Sequence, residues 1–456
     1  MLDIRSTRVK GSHGATGLPD LHRGFGASTT CRLGASLVLA AGLCAPGGAA
    51  HAQTFVNSWI DGAKLLADVR FRYENVDDAS KVPAADALTL RARLGVQTGT
   101  WNGLSALVEI DGLLDINNQF NNTRNGKTAF PTVADPQMAA LNRLQLSYAS
   151  NFDTSAVLGR QRIVLGDQRF VGNAGWRQHE QTFDAIAITN TSIPGLTAVY
   201  AYIDRVNRVY GEATQIPATA PASAFHCDCN VLDLTYSGVK DVKLEVFGHL
   251  VDVSQKTGAA ATKLATTRLS TATFGAQASY HVAFDQDWSA NFLAAYAHQS
   301  NYAHNPGAVD LSYWRGEAAV SYTDAAATVG YEAMQGNGTV GFSTPLATIH
   351  AFDGWADMFL TTPTNGLDNF YIKASYKMPF MAKALHVDSA GATVIHRDFS
   401  TDRTNIGIGS EWDGALEFGY DKASLLLQYA DYQGSGVGRG GFADKSIGWI
   451  QVSYKY

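Results

Sequence analysis

Residues 67–74 read ADVRFRYE. Ala67, Val69, Phe71 and Tyr73 fall on one side of an extended chain and Asp68, Arg70, Arg72 and Glu74 on the other, the period of two that a β-strand requires. A face of four charged residues cannot be the core of a soluble sandwich. A wall with hydrocarbon on one side and water on the other accommodates both faces, and the sheet that can form such a wall is a closed barrel.

The pattern recurs along the chain. Leu88, Leu90, Ala92, Leu94 and Val96 alternate with Thr89, Arg91, Arg93 and Gln97; Trp314, Ala318, Val320 and Tyr322 with Arg315, Glu317 and Ser321; Phe370, Ile372, Ala374 and Tyr376 with Tyr371, Lys373, Ser375 and Lys377. Segments near 157–163, 197–210 and 424–432 alternate poorly. The connections are alternately short and long, as expected of short periplasmic turns and long extracellular loops. Short turns fall at 98–103, 149–155, 189–195, 237–241, 284–288, 323–326, 378–383 and 420–423. Long loops fall near 112–138, 165–180, 211–229, 253–268, 336–366 and 397–411, and Asn, Asp, Gly, Ser and Pro dominate both sets. The reading is all-β: a single transmembrane antiparallel β-barrel of about 18 strands over 65–456.

Composition agrees. No linker or charge block divides the 456 residues after the first fifty, so one large domain is expected. A mean hydropathy of −0.09, with no apolar run of twenty in the body, excludes a helical membrane protein, whereas 19 Tyr, 21 Phe and 8 Trp suit the aromatic girdles of a barrel. The amino terminus reads as an address: Arg5, Arg8, Lys10, Arg23 and Arg32 precede an apolar run over 33–43, and Ala50-His51-Ala52 offers a cleavage site before Gln53. Residues 1–52 are thus expected to be a signal peptide and 53–64 a periplasmic segment. The leader carries five basic and two acidic residues, so its removal takes the formal charge from −6 to about −9, which argues against a nucleic-acid partner.

A pore works through inward charges and through loops that fold into its lumen. Arg70, Arg72, Arg91, Arg93 and Arg143 lie on inward faces of the first four strands. Arg160, Arg162, Arg169 and Arg177 follow in 159–185, and Arg315 lies further on. Neighbouring strands lie about 5 Å apart, so these guanidiniums form one wall, suited to carboxylates because the fork binds them bidentately and stays charged. Alternatively, they pair with Asp68, Glu74, Glu109, Asp111 and Asp184 and only brace the wall. The 336–366 loop holds Phe342, Pro345, His350, Phe352, Trp355 and Phe359, too much apolar surface to leave in water. It is expected to form a constriction inside the barrel or to pack on neighbouring extracellular loops. Asp353 and Asp357 would then set negative charge opposite the arginines, giving a transverse field.

Cys227 and Cys229, in FHCDCN, are read as a loop disulfide, as free thiols, or, with His226 and Asp228, as a metal site. Enzymatic patterns are thin. His179-Glu180 has no second His four residues on, and no G-x-S-x-G occurs, so no catalytic residues and no cofactor are assigned.

Three stretches, FRYENVDD with TLRARLGVQTGTWNGLSALVE (71–78 and 89–109), GRQRIVLGDQRFVGNAGWRQHEQTFDA (159–185) and GFSTPLATIHAFDGWADMFLTTPTNGLDNFYI (341–372), resemble the alginate-export family of outer-membrane porins. The resemblance implies an eighteen-stranded barrel with a charged lumen narrowed by infolded loops. The last strand, with Ile450, Val452, Tyr454 and Tyr456 on one face, looks like the signal read by the outer-membrane assembly machinery. Expected partners are that machinery, outer-membrane lipid and lipopolysaccharide, and a polar, anionic solute moving by facilitated diffusion. The rival readings are a plugged barrel that binds a ligand or surface without transport, and a secreted soluble β-protein.

Overall fold

In the computed structural model of the protein, residues 58–211, 221–254, 267–435 and 442–456 are described. The expected leader and its cleavage site lie outside them. Eighteen long strands run in chain order: β1 Lys64–Asp78, β2 Ala85–Gln97, β3 Leu104–Asp115, β4 Met138–Ala149, β5 Thr154–Gln161, β6 Thr182–Asn190, β7 Leu196–Asn207, β8 Ala224–Tyr236 and β9 Val242–Val251. The second half comprises β10 Thr271–Ala283, β11 Trp288–Asn301, β12 Asp310–Tyr322, β13 Ala325–Met334, β14 Leu367–Lys377, β15 Ser389–Ser400, β16 Gly407–Tyr420, β17 Ala423–Gly434 and β18 Lys445–Lys455. A two-residue piece, Val253–Ser254, prolongs the β9 edge against Cys227 and His226 of β8.

Each strand pairs antiparallel with the next, and β18 pairs with β1, with Phe71 opposite Val452 and Tyr73 opposite Ile450. Closure leaves no free edge, so every ladder group in the wall can be satisfied without water. Among the described residues no helix is long and apolar enough to cross a membrane, a statement that does not concern strands.

The alternation sorts as the sequence implies. Arg70, Arg72, Glu74 and Val76 of β1 are buried inside, while Phe71 points outward. Leu94, Ile110, Leu144, Leu158, Val246, Val329, Ile372, Val394 and Val452 project from the outer wall. Aromatic side chains border this band: Trp288 and Tyr322, with ring centroids 4.6 Å apart, lie at the short-turn end, and Tyr296 and Trp314, 4.2 Å apart, lie nearer the long loops. Such rings sit at headgroup level in a membrane barrel.

Seven of the eight short connections occur as expected. At 98–103, Asn102 and Gly103 take positive φ, and a Cβ on Gly103 would collide with the carbonyl of Ala149, so this turn needs a residue without one. Four expectations need correction. The 378–383 turn is longer and contains a helix, Pro379–Leu385, started by proline and stopped by His386 in the left-handed region, as proline at a first turn and a left-handed residue at an end favour. The 397–411 segment is mostly strand, because Arg397, Phe399, Glu411 and Asp413 continue the inward face of β15 and β16. Shorter loops at 79–84 and 302–309, not anticipated, complete the long-loop end. Cys227 and Cys229 belong to β8, not to a loop.

Candidate lumen and constriction

The interior is not an open tube. Arg72, Arg91 and Arg169 rank with Trp449 among the largest fully buried side chains, which an unobstructed aqueous pore would not allow. What covers them is the chain between β5 and β6 (162–181) and the chain between β13 and β14 (335–366), both folded inward. They meet as a parallel bridge between Val171 and Leu346, with Gly172 N donating to Leu346 O at 2.9 Å and Thr348 N to Gln168 O at 3.1 Å. Trp176 stacks on His350 at 4.2 Å and meets Trp449 edge-on at 5.5 Å. The 336–366 loop therefore packs inside the barrel against the first infolded loop and is not a cover for neighbouring extracellular loops.

The arginines divide into groups by what they hold. Arg70 Nη1 donates to the carbonyls of Gly175 and Trp176, both at 3.1 Å, and of Arg177 at 3.3 Å. Arg72 Nη2 donates to Trp176 O at 2.7 Å, and its Nε to Gln451 at 3.0 Å. Two arginines of β1 thus grip the backbone of the first infolded loop. Arg93 completes the grip through Gln178 O at 2.9 Å, Asp111 at 3.3 Å and Glu180 at 3.3 Å, while His179 Nδ1 lies 3.0 Å from Asp111. Arg177 returns from the loop to Glu74 at 2.7 Å and lies 3.7 Å from Asp135.

A second set lies on β3 to β6. The β3–β4 ladder shifts register after Glu109, so that both Asn142 and Arg143 reach its carboxylate, at 2.6 and 2.7 Å. Two residues opposing one is the geometry of a β-bulge. Arg162 bonds Glu180 at 2.8 Å through Nε and lies 3.5 Å from Glu109, and Arg160 pairs with Asp184 of β6 at 2.7 Å. Arg162 and Arg160 keep 31% and 23% of their side chains accessible, so this set borders the remaining water path. Burial alone would raise the Glu180 carboxyl, but Arg93, Arg162 and Asn142 outweigh it and hold it at about 2.

The far wall differs from expectation. Asp353 is not a free charge facing the arginines: it is buried and shares Arg169 with Glu332, lying 3.1 Å from that guanidinium. Burial, with repulsion from Glu332, pushes Asp353 up to about 7 despite Arg169. Asp357 is bound to His350 at 2.8 Å and Trp355 packs on the core, its N–H 3.4 Å from Asp413. The physical reason is that a buried carboxylate must find a partner, and the infolded loop brings both aspartates to one. The accessible charges of this wall are instead Asp167 and Glu317, both bound to Arg315. Sequence reasoning missed Arg397, which holds Asp413 at 3.1 Å and Phe352 O at 2.7 Å, and Glu411, which accepts from Ala356 N at 2.9 Å. The signal was available in the alternation of 395–399 and 409–413.

Cys227 and Cys229 are joined by a disulfide, with Cα atoms 5.2 Å apart. Both are buried in an interior cluster with Ile163, Val171, Phe183 and Leu346, so the bridge backs the point where the two loops meet. Among the described residues no group of three or more His, Cys, Asp or Glu is placed to hold a metal ion.

One pair of these arginines also opposes like charge to like across a ladder. Arg70 and Arg91 occupy directly opposed positions on β1 and β2. Among the described residues Arg91 is bonded to Asp68 alone, and Arg91 Nε and Nη1 and Arg70 Nε have no partner. Unspent donors on two facing guanidiniums leave positive charge here that the wall does not fully match.

No family model matches the sequence, and no curated protein matches it. Solved structures do. OccK1 (OpdK) of Pseudomonas aeruginosa is 14% identical, with 87% of this chain and 99% of that chain aligned and a TM-score of 0.64. OccAB2 of Acinetobacter baumannii is 15% identical over 88% and 99%, with a TM-score of 0.66, and OprD of Pseudomonas aeruginosa is 12% identical over 88% and 96%, with a TM-score of 0.61. The likeness is one of fold and does not reach the alginate-export family in particular: the chain has the closed eighteen-stranded barrel of these outer-membrane porins.

Proposed function

We propose that this chain is an outer-membrane channel through which small anionic organic solutes diffuse down their gradient. The observation that carries the reading is the set of arginines that water still reaches, Arg143, Arg160 and Arg162, backed by the buried Arg70–Arg91 pair, whose positive charge is not fully matched by partners. A carboxylate passing these accessible guanidiniums, each already shared with a carboxylate of the wall, would be held weakly enough to leave, as conduction requires. OpdK, one of the proteins of like fold, has been solved with vanillate, a small aromatic carboxylate. Lipid and lipopolysaccharide would surround the wall, and the assembly machinery would read the strand ending at Tyr456. Membership of the alginate-export family is the finer reading; it extends the cargo to acidic oligosaccharides.

The test is single-channel recording in a salt gradient, with benzoate and an oligouronate as competing solutes. Anion preference with block by benzoate supports the reading, and added block by the oligouronate supports the finer one; cation preference or no conductance refutes it. The burial of both loops favours one rival, a plugged barrel that binds without transport. Liposome swelling separates the two, because a plugged barrel gives no solute-dependent rate.

A further inference from the structure

The outer wall carries a hollow. Near the short-turn end of β13 to β15, Ala325, Ala327, Ala374 and Ala392 occupy outward positions, with Ala327 opposite Ala374 and Tyr376 opposite both Ala325 and Ala392. On β2 to β4 the outward face is built from Leu94, Val96, Val108 and Leu144. A floor of methyl groups lies lower than its surroundings, and a depression of about 550 Å3 results, walled by Trp288, Tyr322, Val320 and Val394.

The helix Pro379–Leu385 borders this hollow. Met378, Ala382 and Ala390 are buried together, with Met381, Val387, Ala392 and Phe418 packed around them. Ala390, Ala392 and Phe418 face outward on their strands, alternating with the inward Ile395, Arg397, Glu411 and Asp413. The helix therefore lies against the outside of the barrel, and Ala392 belongs both to its seat and to the floor of the hollow. Phe380 and Leu385 project from it, 60% and 52% exposed, with Lys383 in its last turn.

We propose that hollow and helix together bind one phospholipid of the periplasmic leaflet, with an acyl chain over the alanine floor and the phosphate at Lys383. The occupant follows from the setting. A depression lined by methyl and aromatic groups offers water nothing to bond, and it is continuous with the hydrocarbon-facing wall. The Trp288–Tyr322 pair marks the headgroup level at its edge, and Lys383, exposed in the last turn of the helix that borders the hollow, supplies a cation on the same side of the wall. Phe380 and Leu385 would enter the neighbouring acyl layer and seat the helix in the interface. The proposal rests on the membrane placement of the barrel and is independent of what passes through the lumen.

Native mass spectrometry of the full-length barrel, released from mild detergent after addition of phosphatidylglycerol, tests it. One lipid should survive activation that strips the others. Ala374→Phe fills the hollow from the hydrocarbon side and should cut the retained fraction about tenfold; Lys383→Glu should weaken retention of phosphatidylglycerol while the barrel stays heat-modifiable. Should Ala374→Phe fail to fold, Ala327→Leu makes the same test with a smaller group. Equal retention by the filled variant and the parent overturns the proposal. So does a parent that runs as an oligomer and becomes monomeric on filling, which would assign the hollow to a second copy. Neither result touches the channel reading, which conductance decides separately.

Discussion

Arg70 and Arg91 face each other across the β1–β2 ladder, although like charges directly opposed weaken a sheet. Arg93, two residues along, is spent on Asp111, Glu180 and the Gln178 carbonyl. The arginine wall thus contains two kinds of residue, and they should respond differently to the same substitution.

Arg91→Gln removes a charge whose only partner, Asp68, is itself 21% accessible, so stability should change little. The reversal potential should move toward cation preference, because a fixed charge in a narrow lumen is poorly screened. Arg93→Gln leaves two buried carboxylates short of a partner and should cost about 3 kcal/mol or more, read by denaturant unfolding, with a smaller shift in selectivity. Identical responses from the two variants would show that the division is false.

Acid should release the first infolded loop late. Glu180 is held at about 2 against an ordinary 4.5, so its contribution is fully present above the ordinary value and fades as pH falls through the lowered one. The part of the conductance that the first infolded loop sets should therefore stay level from pH 8 to about 4.5 and rise only in stronger acid, separate from any change near pH 7 through Asp353 of the second loop. Glu180→Gln should conduct more already at neutral pH and lack that rise. A step near pH 6 that survives in this variant would assign the acid response elsewhere.

Trp176 and His350 tie one loop to the other. Trp176→Ala and His350→Ala should each widen the channel. Their double variant should fall short of additivity by about 0.5–1.5 kcal/mol in unfolding free energy, the usual worth of an aromatic pair. Strict additivity would mean that the stack carries no coupling.

The cysteines of β8 should resist alkylation in denaturant unless first reduced. Because the bridge closes so short a loop, replacing both by serine should cost only about 2 kcal/mol or less. Free thiols in the unreduced protein would contradict the bond.

Much of this architecture was legible because lipid outside and water inside impose opposite demands on successive residues. The facing of Arg70, Arg72, Arg91 and Arg93 followed directly from that. Their partners did not, since Arg70 bonds residues more than a hundred positions away and Arg169 reaches Glu332 and Asp353. Periodicity gives a facing, not a neighbour. Asp353 and Asp357 were misread for a related reason: in a loop they look like solvated charge, and only the fold of that loop shows them docked. Arg397, Glu411 and Asp413 were lost where polar residues near the rim, such as Asp398, gave strand the look of loop. The bulge that brings Asn142 and Arg143 to one carboxylate leaves no trace in residue type.

Arg72 bonds Gln451 across the β1–β18 seam and Trp176 of the first infolded loop with the same guanidinium. The joint between the first and last strands and the anchorage of the gate are thus one set of bonds. Until the ends of the sheet have met, Arg72 lacks its Gln451 partner, so the anchorage is completed only on closure during biogenesis. A barrel caught before completion would be leaky, and acquisition of the final, small conductance would be a timestamp for the moment the cylinder is sealed.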